Sequence, residues 1–588
     1  MENRKGNLLI HAENLMPIIK KWLYSDKDIF IRELVANGCD AMTKLAAISE
    51  NSEDQAALKI TIKLDIEKGT ITFSDNGIGM TAEEIDRYIN NVAFSGAQEF
   101  IEKLKETGAD AENIIGHFGL GFYSAFMVSD KVFINTLSYQ EGAKSAMWSS
   151  DGGLEYEMGA GSRKERGTDI ILHVAEDSKE YLDKEKIAGV AKQYLCFMPY
   201  PIFIDDGEEP VNDPAPIYLK APRDISDDEY KDFYKKTFDT WEDPLFWVHL
   251  NIDFPFSLKG ILYFPKITQN YGINDGSVKL FCRQVYVAEN IKEIIPEYLL
   301  LLKGVIDSPD IPLNVSRSFL QSDKDVKTLS GYISRKVADR LVSLHNDDAE
   351  RYLQVWDDIS IFVKFGCMRD DKFFERVKDS VIFKTVQGNT LTIEQAKETA
   401  KEAGELFYAG ADNKDAPIID MFTEKGVDVL LLDTPIDSNF ISFLENKELG
   451  LKLKRVDSGM AQGMSEGGAD EALTNEITEI MREALADDTL IVNVEKLSDE
   501  GVPAMLIYDE QMRRFNEYSA MFAGGIAMPL KATVVVNSES PVVKTMLSEE
   551  GEDRLDIARH IYDLAELTQG VLSKERLAEF IKRSYKFI

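Results

Sequence analysis

Apolar residues recur at steps of three and four over Leu15 to Tyr24 and again over Phe30 to Ala47, the spacing that puts one stripe of a helix against a core. The period then changes. Lys59 to Ile66 alternates and Thr70 to Phe73 is β-branched or aromatic, so strands follow the helices, and residues 1–205 are expected to fold as an α/β sandwich. The stretch Asp205 to Pro216 combines acid, Gly and Pro, the composition of a boundary that few contacts cross. From 216 to 456, strands such as Gly260–Phe264 and Val278–Phe281 mix with long helical tracts such as Asp325 to Leu344, which predicts a second α/β domain with two lobes. A small, polar run from Asp457 to Gly468 predicts a flexible second boundary. Residues 470–588 begin helical at Ala472 to Ala486, pass through a strand at Ala532 to Val536 and end in helices from Asp553 to Tyr585. The expected fold is therefore multi-domain α/β: a sandwich, a two-lobed α/β domain and a mainly helical α+β domain. No repeat of solenoid period interrupts this reading.

Length supports it, since 588 residues exceed one core. Charge narrows the partners. Sixty-seven Lys and Arg against 102 Asp and Glu leave a net charge of −35, which repels a phosphate backbone and argues against nucleic acid. The four cysteines, Cys39, Cys196, Cys282 and Cys367, are far apart and lack CxxC spacing, as expected for reduced thiols in a cytoplasmic protein. No apolar run reaches eighteen residues: Tyr298–Leu302 is cut off by Lys303-Gly304, and the charged N-terminus does not read as a signal peptide. No membrane association is expected.

Three stretches carry candidate chemistry. On the helix Ile31 to Leu45, Glu33, Asn37, Asp40 and Lys44 form one polar stripe among apolar faces. A carboxylate there can orient or deprotonate a water, and an amide oxygen is a hard ligand suited to Mg²⁺; a solvent-facing stripe is the plain alternative. In Asp75-Asn76-Gly77-Ile78-Gly79-Met80 an aspartate ends a strand beside glycines that let backbone approach a planar ligand, and Asp75 can accept an adenine amino proton. The same hexapeptide also reads as an ordinary strand-to-helix turn, because Thr81-Ala82-Glu83-Glu84 is a capping box. Gly116-His117-Phe118-Gly119-Leu120-Gly121 precedes a helical segment, Phe122 to Val128, where free N–H groups suit phosphate; a glycine hinge is the alternative, and the Lys-Ser/Thr ending of a Walker loop is missing. Glycines at Gly96, Gly108 and Gly116 suggest that the Phe94 to Gly121 stretch is a lid, or else a fixed helical excursion.

In this order the three stretches resemble the ATP-binding fold shared by type II topoisomerase B subunits, 90-kDa heat-shock proteins, sensor histidine kinases and mismatch-repair ATPases. The flanking words Tyr24 to Leu34 (YSDKDIFIREL) and Gly119 to Phe126 (GLGFYSAF) look like the 90-kDa heat-shock protein family specifically. Trp241-Glu242-Asp243-Pro244, Ile295 to Leu299 and Asp310 to Arg317 match further family words in order, so the resemblance covers nearly the whole chain, and the short first linker leans to the family's bacterial branch. It implies an ATP-hydrolysing chaperone that remodels partly folded client proteins. Glu33 would position the attacking water and Arg317 would reach the γ-phosphate, these two being the catalytic pair. Asn37 would hold Mg²⁺ through ATP, and Asp40 would help line the nucleotide site. Asp75 with Thr168 would bind adenine, bordered by Gly79 and Met80. His117, Gly119, Leu120, Gly121 and Phe122 would meet phosphate, and Asn314 and Gln321 would shape the loop of Arg317.

Tyr88 and Phe94 stand where an asparagine and a lysine are common in the family, Tyr218 where a tryptophan is, and His117 where a glutamine is. The resemblance further implies a homodimer through C-terminal helices carrying Ile557, Ile561, Leu564, Leu567, Leu577, Phe580 and Ile581, which by pattern alone also suit closure of the domain. Met512, Phe515, Tyr518, Met521 and Phe522 form an apolar stripe that suits either clients or a core, and other chaperones are conceivable partners. Two rivals remain. A topoisomerase or mismatch-repair ATPase should bring a basic surface, and a silent ATP-binding scaffold has no need of both Glu33 and Arg317.

Overall fold

The computed structural model describes residues 26–48, 58–91, 119–153, 155–254, 256–266, 276–311, 324–403, 405–411, 413–447, 450–460, 464–523 and 530–586. The expected helix at Leu15 to Tyr24 and all but the last three residues of the expected Phe94 to Gly121 lid lie outside these residues, as do His117, Asn314, Arg317 and Gln321. The chain divides into two compact units, residues 1–336 and 337–588, and the division falls within the helix Lys324–Asp347.

In the first unit, α1 (Ile29–Ile48) follows the predicted period, and β1 (Ile60–Asp65) and β2 (Thr70–Asp75) pair antiparallel with Ile60 opposite Asp75. Five more strands, β3 (Ser129–Leu137), β4 (Ala146–Ser150), β5 (Glu157–Ala160), β6 (Gly167–Val174) and β7 (Ile202–Ile204), complete a sheet of order β5-β4-β3-β6-β2-β1-β7. Its apolar positions Ile62, Ile71, Phe73, Val132, Ile134 and Leu172 share one core with Phe30, Leu34, Val35, Cys39 and Met42 of α1. Phe30, fully buried, stands edge-on to both Phe73 and Tyr181, with ring centroids 6.0 and 5.0 Å apart. Truncating such a ring costs about 3–5 kcal/mol. This is the sandwich expected from the alternation of periods.

A second sheet, built from β8 (Phe246–Ile252), β9 (Leu258–Phe264), β10 (Ser277–Cys282), β11 (Val285–Glu289) and β12 (Lys303–Asp307) in the order β11-β10-β12-β9-β8, belongs to the same unit. The 205–216 stretch that leads to it is held by hydrogen bonds. Buried Asn212 accepts from Ile202 N (2.8 Å) and donates to Met198 O (2.8 Å) and Tyr200 O (2.9 Å), while Gln284 Nε2 donates to Phe197 O (2.7 Å) and Pro214 O (3.0 Å). Phe197 packs on Tyr218, Phe233 and Phe281, so one apolar core runs from the first sheet to the second. Tyr218 is fully buried there, and its hydroxyl donates to Asp307 at 3.2 Å.

The second unit carries two more sheets. β13 (Ile382–Thr385), β14 (Thr390–Thr392), β15 (Leu406–Ala409), β16 (Leu430–Leu431) and β17 (Leu453–Arg455) run in the order β14-β13-β16-β15-β17. β18 (Ser465–Gly468), β19 (Ile491–Leu497), β20 (Ala504–Tyr508) and β21 (Ala532–Asn537) run β18-β19-β21-β20. The glycine-rich stretch read as a flexible boundary thus supplies an edge strand, because main-chain pairing to β19 needs no side chains. Phe407, Ile418 and Phe422 share a cluster with Leu497, Met505 and Val535, which joins the two sheets. The helices Glu471–Leu485 and Gly551–Thr568 cover the last sheet through Ile477, Met481, Ala558 and Ile561.

Candidate functional site

The polar stripe of α1 is not solvent-facing: Glu33 and Asp40 are each 6% exposed and Asn37 is half-buried. Carboxylates are seldom buried without partners. Arg32, 1% exposed, supplies one for Glu33, donating to its Oε1 from Nε (3.2 Å) and Nη2 (2.9 Å), while Nη1 reaches the carbonyl of Tyr286 in β11 at 3.3 Å. The other oxygen of Glu33 faces the glycine loop, where a methyl group at Gly121 would stand 2.7 Å from Oε2. The helix stripe and the GxxGxG loop, distant in sequence, are therefore in contact. Lys44 lies on the same stripe, and burial lowers its proton affinity against the opposing charges of Asp40 and Glu84.

The aspartate hexapeptide meets α1 from the other side. Gly77 packs on the main chain of Ala41 and Met42, where a methyl would find backbone at 2.7–2.8 Å, and Ile78 N donates to Ala41 O at 3.1 Å. Gly79 adopts φ +63°, with the carbonyl of Leu137 so close that only glycine fits. Asp75, 8% exposed, accepts from Gly77 N (2.9 Å) and lies opposite Thr168 in the β2–β6 ladder. Thr136 Oγ1 bonds both Thr168 Oγ1 (2.9 Å) and Met80 N (3.0 Å), so Thr168, Met80 and Asp75 border one place. Burial pushes the Asp75 carboxyl up to about 7, opposed by the Gly77 N–H and by the nearby Arg163. The capping-box reading holds as well: Thr81 accepts from Glu84 N (3.2 Å) and Glu84 accepts from Thr81 N (2.8 Å), starting α2 (Ala82–Tyr88). One turn serves both readings.

The loop Gly119–Gly121 leads into a 3₁₀ helix, Gly121–Met127, in place of the expected helical segment from Phe122. Buried Phe122 wedges edge-on against Trp148 (5.6 Å) and Phe126 (6.3 Å), which holds the tight turn next to α1. Gly119 takes φ +64°. Among the described residues no group of three His, Cys, Asp or Glu could hold a metal ion. The amide oxygen of half-buried Asn37, on the same stripe as Glu33 and Asp40, is a hard donor of the kind Mg²⁺ takes. Arg32, Thr136 and Arg163 escaped the sequence reading. Arg32 lies within the YSDKDIFIREL stretch, where no spacing sets it apart, and nothing local marks Thr136 or Arg163.

Elsewhere, Met512 (39% exposed) and Phe515 (50% exposed) project from the helix Glu510–Ala523, while the side chains of Tyr518, Met521 and Phe522 lie outside the described residues. The C-terminal apolar set divides. Ile557 and Ile561 point into the domain's own core, whereas Leu567, Leu577 and Ile581 are exposed, and Phe580 stacks on His560 with centroids 4.4 Å apart. Periodicity could not separate the two groups because both lie on apolar stripes. Among the described residues no helix is long and apolar enough to cross a membrane.

Residues 30–152 match the histidine kinase-, DNA gyrase B- and HSP90-like ATPase family, and residues 204–588 match the Hsp90 protein family. The chain is 41% identical to a chaperone protein htpG of Bacteroides fragilis and 38% identical to a chaperone protein HtpG of Porphyromonas gingivalis, each over 94% of this chain and 85% of the relative. Its identity to a chaperone protein HtpG of Idiomarina loihiensis is 32%, over 99% of this chain and 98% of the relative. With an ATPase-type sandwich in the first unit, further α/β sheets in each unit and these matches along its length, the chain belongs to the Hsp90 family.

Proposed function

We propose that this chain is an ATP-dependent molecular chaperone that hydrolyses ATP in the pocket between α1, the Asp75 turn and the Gly119–Phe122 loop, and uses the cycle to bind and remodel partly folded proteins. The observation that carries the reading is that Glu33 of α1 meets Gly121 while the turn after Asp75, the strand partner of Thr168, packs on the same helix at Ala41 and Met42. That arrangement supports a water-orienting role for Glu33 beside the glycine loop and a purine-accepting role for Asp75.

In this reading Asp75 accepts the adenine amino hydrogen, with Thr168 and Met80 bordering the base. The N–H groups of Gly119 to Phe122 receive phosphate. Arg32 holds one oxygen of Glu33, which leaves the other to accept a hydrogen bond from the attacking water. Asn37 would hold a Mg²⁺ ion bound with ATP, and that ion would supply charge to offset the phosphates. Arg317 completes the charge stabilisation, with His117, Asn314 and Gln321 supporting the nucleotide.

The domain scheme is ATP-binding 1–205, middle 216–456 and dimerising 470–588, working as a cytoplasmic homodimer. The exposed residues Leu567, Leu577 and Ile581 support C-terminal pairing, and Met512 and Phe515 support contact with apolar client segments. Steady-state ATPase of the wild type beside Glu33→Ala and Arg317→Ala, with nucleotide affinity measured for each, tests the reading. Turnover lost with binding retained is the expected result; full turnover in Glu33→Ala, or binding with no turnover in the wild type, would overturn it.

A further inference from the structure

We propose that Arg163 is a positioning residue for the purine anchor: it clamps the main-chain carbonyl of Asp75 at the end of β2, brings its positive charge near the Asp75 carboxylate, and thereby sets the preference for a 6-amino over a 6-oxo purine. The inference rests on the reading of this pocket as an adenine-nucleotide site.

Arg163 comes from the turn between β5 and β6. Its Nη2 donates to the main-chain carbonyl of Asp75 (2.7 Å) and to that of Arg166 (3.3 Å), and its Nε donates to the carbonyl of Glu165 (3.0 Å). Nη1 pairs with Asp169, whose carboxylate also accepts from Ser74 Oγ at 2.6 Å. The side chain is only 14% exposed. The surrounding backbone is shaped to admit it: Gly167 takes φ +118°, and a methyl there would stand 2.7 Å from Nη2 and overlap the carbonyl of Asp75. Asn76 is fixed on its other side, its Oδ1 accepting from Lys59 N at 2.9 Å. The last residue of β2 is therefore clamped at its own carbonyl by a cation.

That cation also acts on the carboxylate. The charged and titratable groups around Asp75 are Arg163, Asp169 on β6, and Cys39 with its neighbour Asp40 on α1; Arg163 lowers the proton affinity of Asp75 and Asp169 raises it. Against burial, the balance leaves the group at about 7. An ionised carboxylate only accepts, which matches an exocyclic amino group and repels a 6-oxo group; a protonated one can donate to the oxo oxygen. Removing the cation near this midpoint changes which base the site prefers.

The test measures ADP and IDP affinities by calorimetry from pH 6 to 8 for the wild type, Arg163→Gln and Arg163→Lys, with thermal unfolding as a check on folding. The ratio of the two affinities cancels the titration of the phosphates. The wild-type ratio should rise with pH. In Arg163→Gln the curve should move to higher pH, lowering the ratio at pH 7, since the cation that favours the charged carboxylate is gone. Arg163→Lys should stay close to wild type. An Arg163→Gln protein that weakens both nucleotides equally at every pH, or an unshifted curve, would overturn the assignment and reduce Arg163 to a turn anchor. A wild type that binds neither nucleotide would overturn the adenine-site reading and the proposal with it.

Discussion

Gly121→Ala isolates the alignment of Glu33 from the rest of the nucleotide site. Gly121 does not have the left-handed backbone of Gly119, so the cost of alanine is one of space. The new methyl would stand 2.7 Å from Glu33 Oε2, and reaching an ordinary contact of 3.4 Å requires the carboxylate to retreat by about 0.7 Å. Two responses compete. Swinging Glu33 away breaks the buried pair with Arg32, which costs about 3–5 kcal/mol. Sliding the paired carboxylate with its guanidinium costs the roughly 1–3 kcal/mol of an overpacked core and wins. A displacement approaching 1 Å at a reacting group lowers turnover by about 10²-fold, so a fall of roughly 10- to 100-fold in kcat is expected. Nucleotide affinity should stay within about threefold, under 1 kcal/mol, because the Asp75–Thr168 end is untouched. Steady-state ATPase and calorimetric titration with ADP read the two quantities separately. Wild-type kcat would refute the reasoning about Glu33, and an affinity loss as large as the kcat loss would place the damage in the phosphate loop itself.

Asp75 predicts a pH dependence of stability. Its folded-state carboxyl lies at about 7, above the ordinary 3.8, so the folded protein holds a proton that the unfolded chain has lost. The contribution is full below about pH 4 and falls by about 1.4 kcal/mol per unit as pH rises towards 7; nucleotide-free Asp75→Asn should lack this slope in thermal melts, and parallel curves would refute it. Glu510 accepts from Tyr408 (2.6 Å), Arg513 (2.7 Å) and Arg514 (2.6 Å), so Glu510→Ala should cost about 3–5 kcal/mol in denaturant unfolding, and a loss below about 1 kcal/mol would show that the arginines re-pair freely. The helix Lys574–Ser584 buries no residue of its own, and Ile581 is 45% exposed. Ile581→Asp should therefore turn a dimer into a monomer in sedimentation without loss of helicity, and a persisting dimer would place the interface elsewhere.

Much of this protein is legible in order along the chain. The change of apolar period from α1 to β1 and β2 reports the sandwich, because a helix and a strand bury different spacings of side chain. The glycines of the Asp75 turn report themselves too, since Gly77 and Gly79 stand where backbone approaches too closely for any side chain. Local signals also have limits. Acid, Gly and Pro between 205 and 216 suggest a loose linker, yet Asn212 and Gln284 tie that stretch down through partners that no local rule names. Ile561 and Ile581 share an apolar character along the chain, and only packing sends one inward and leaves the other bare. The site's decisive contacts are likewise long-range. Glu33 meets Gly121, Arg32 reaches Tyr286, and Arg163 clamps Asp75 across separations that periodicity cannot bridge. Residue types and spacing determine which groups can do chemistry, because those properties are local to helix, strand and turn; which groups touch, which are buried, and what charge they carry there are decided only when the sheet and helices close on one another.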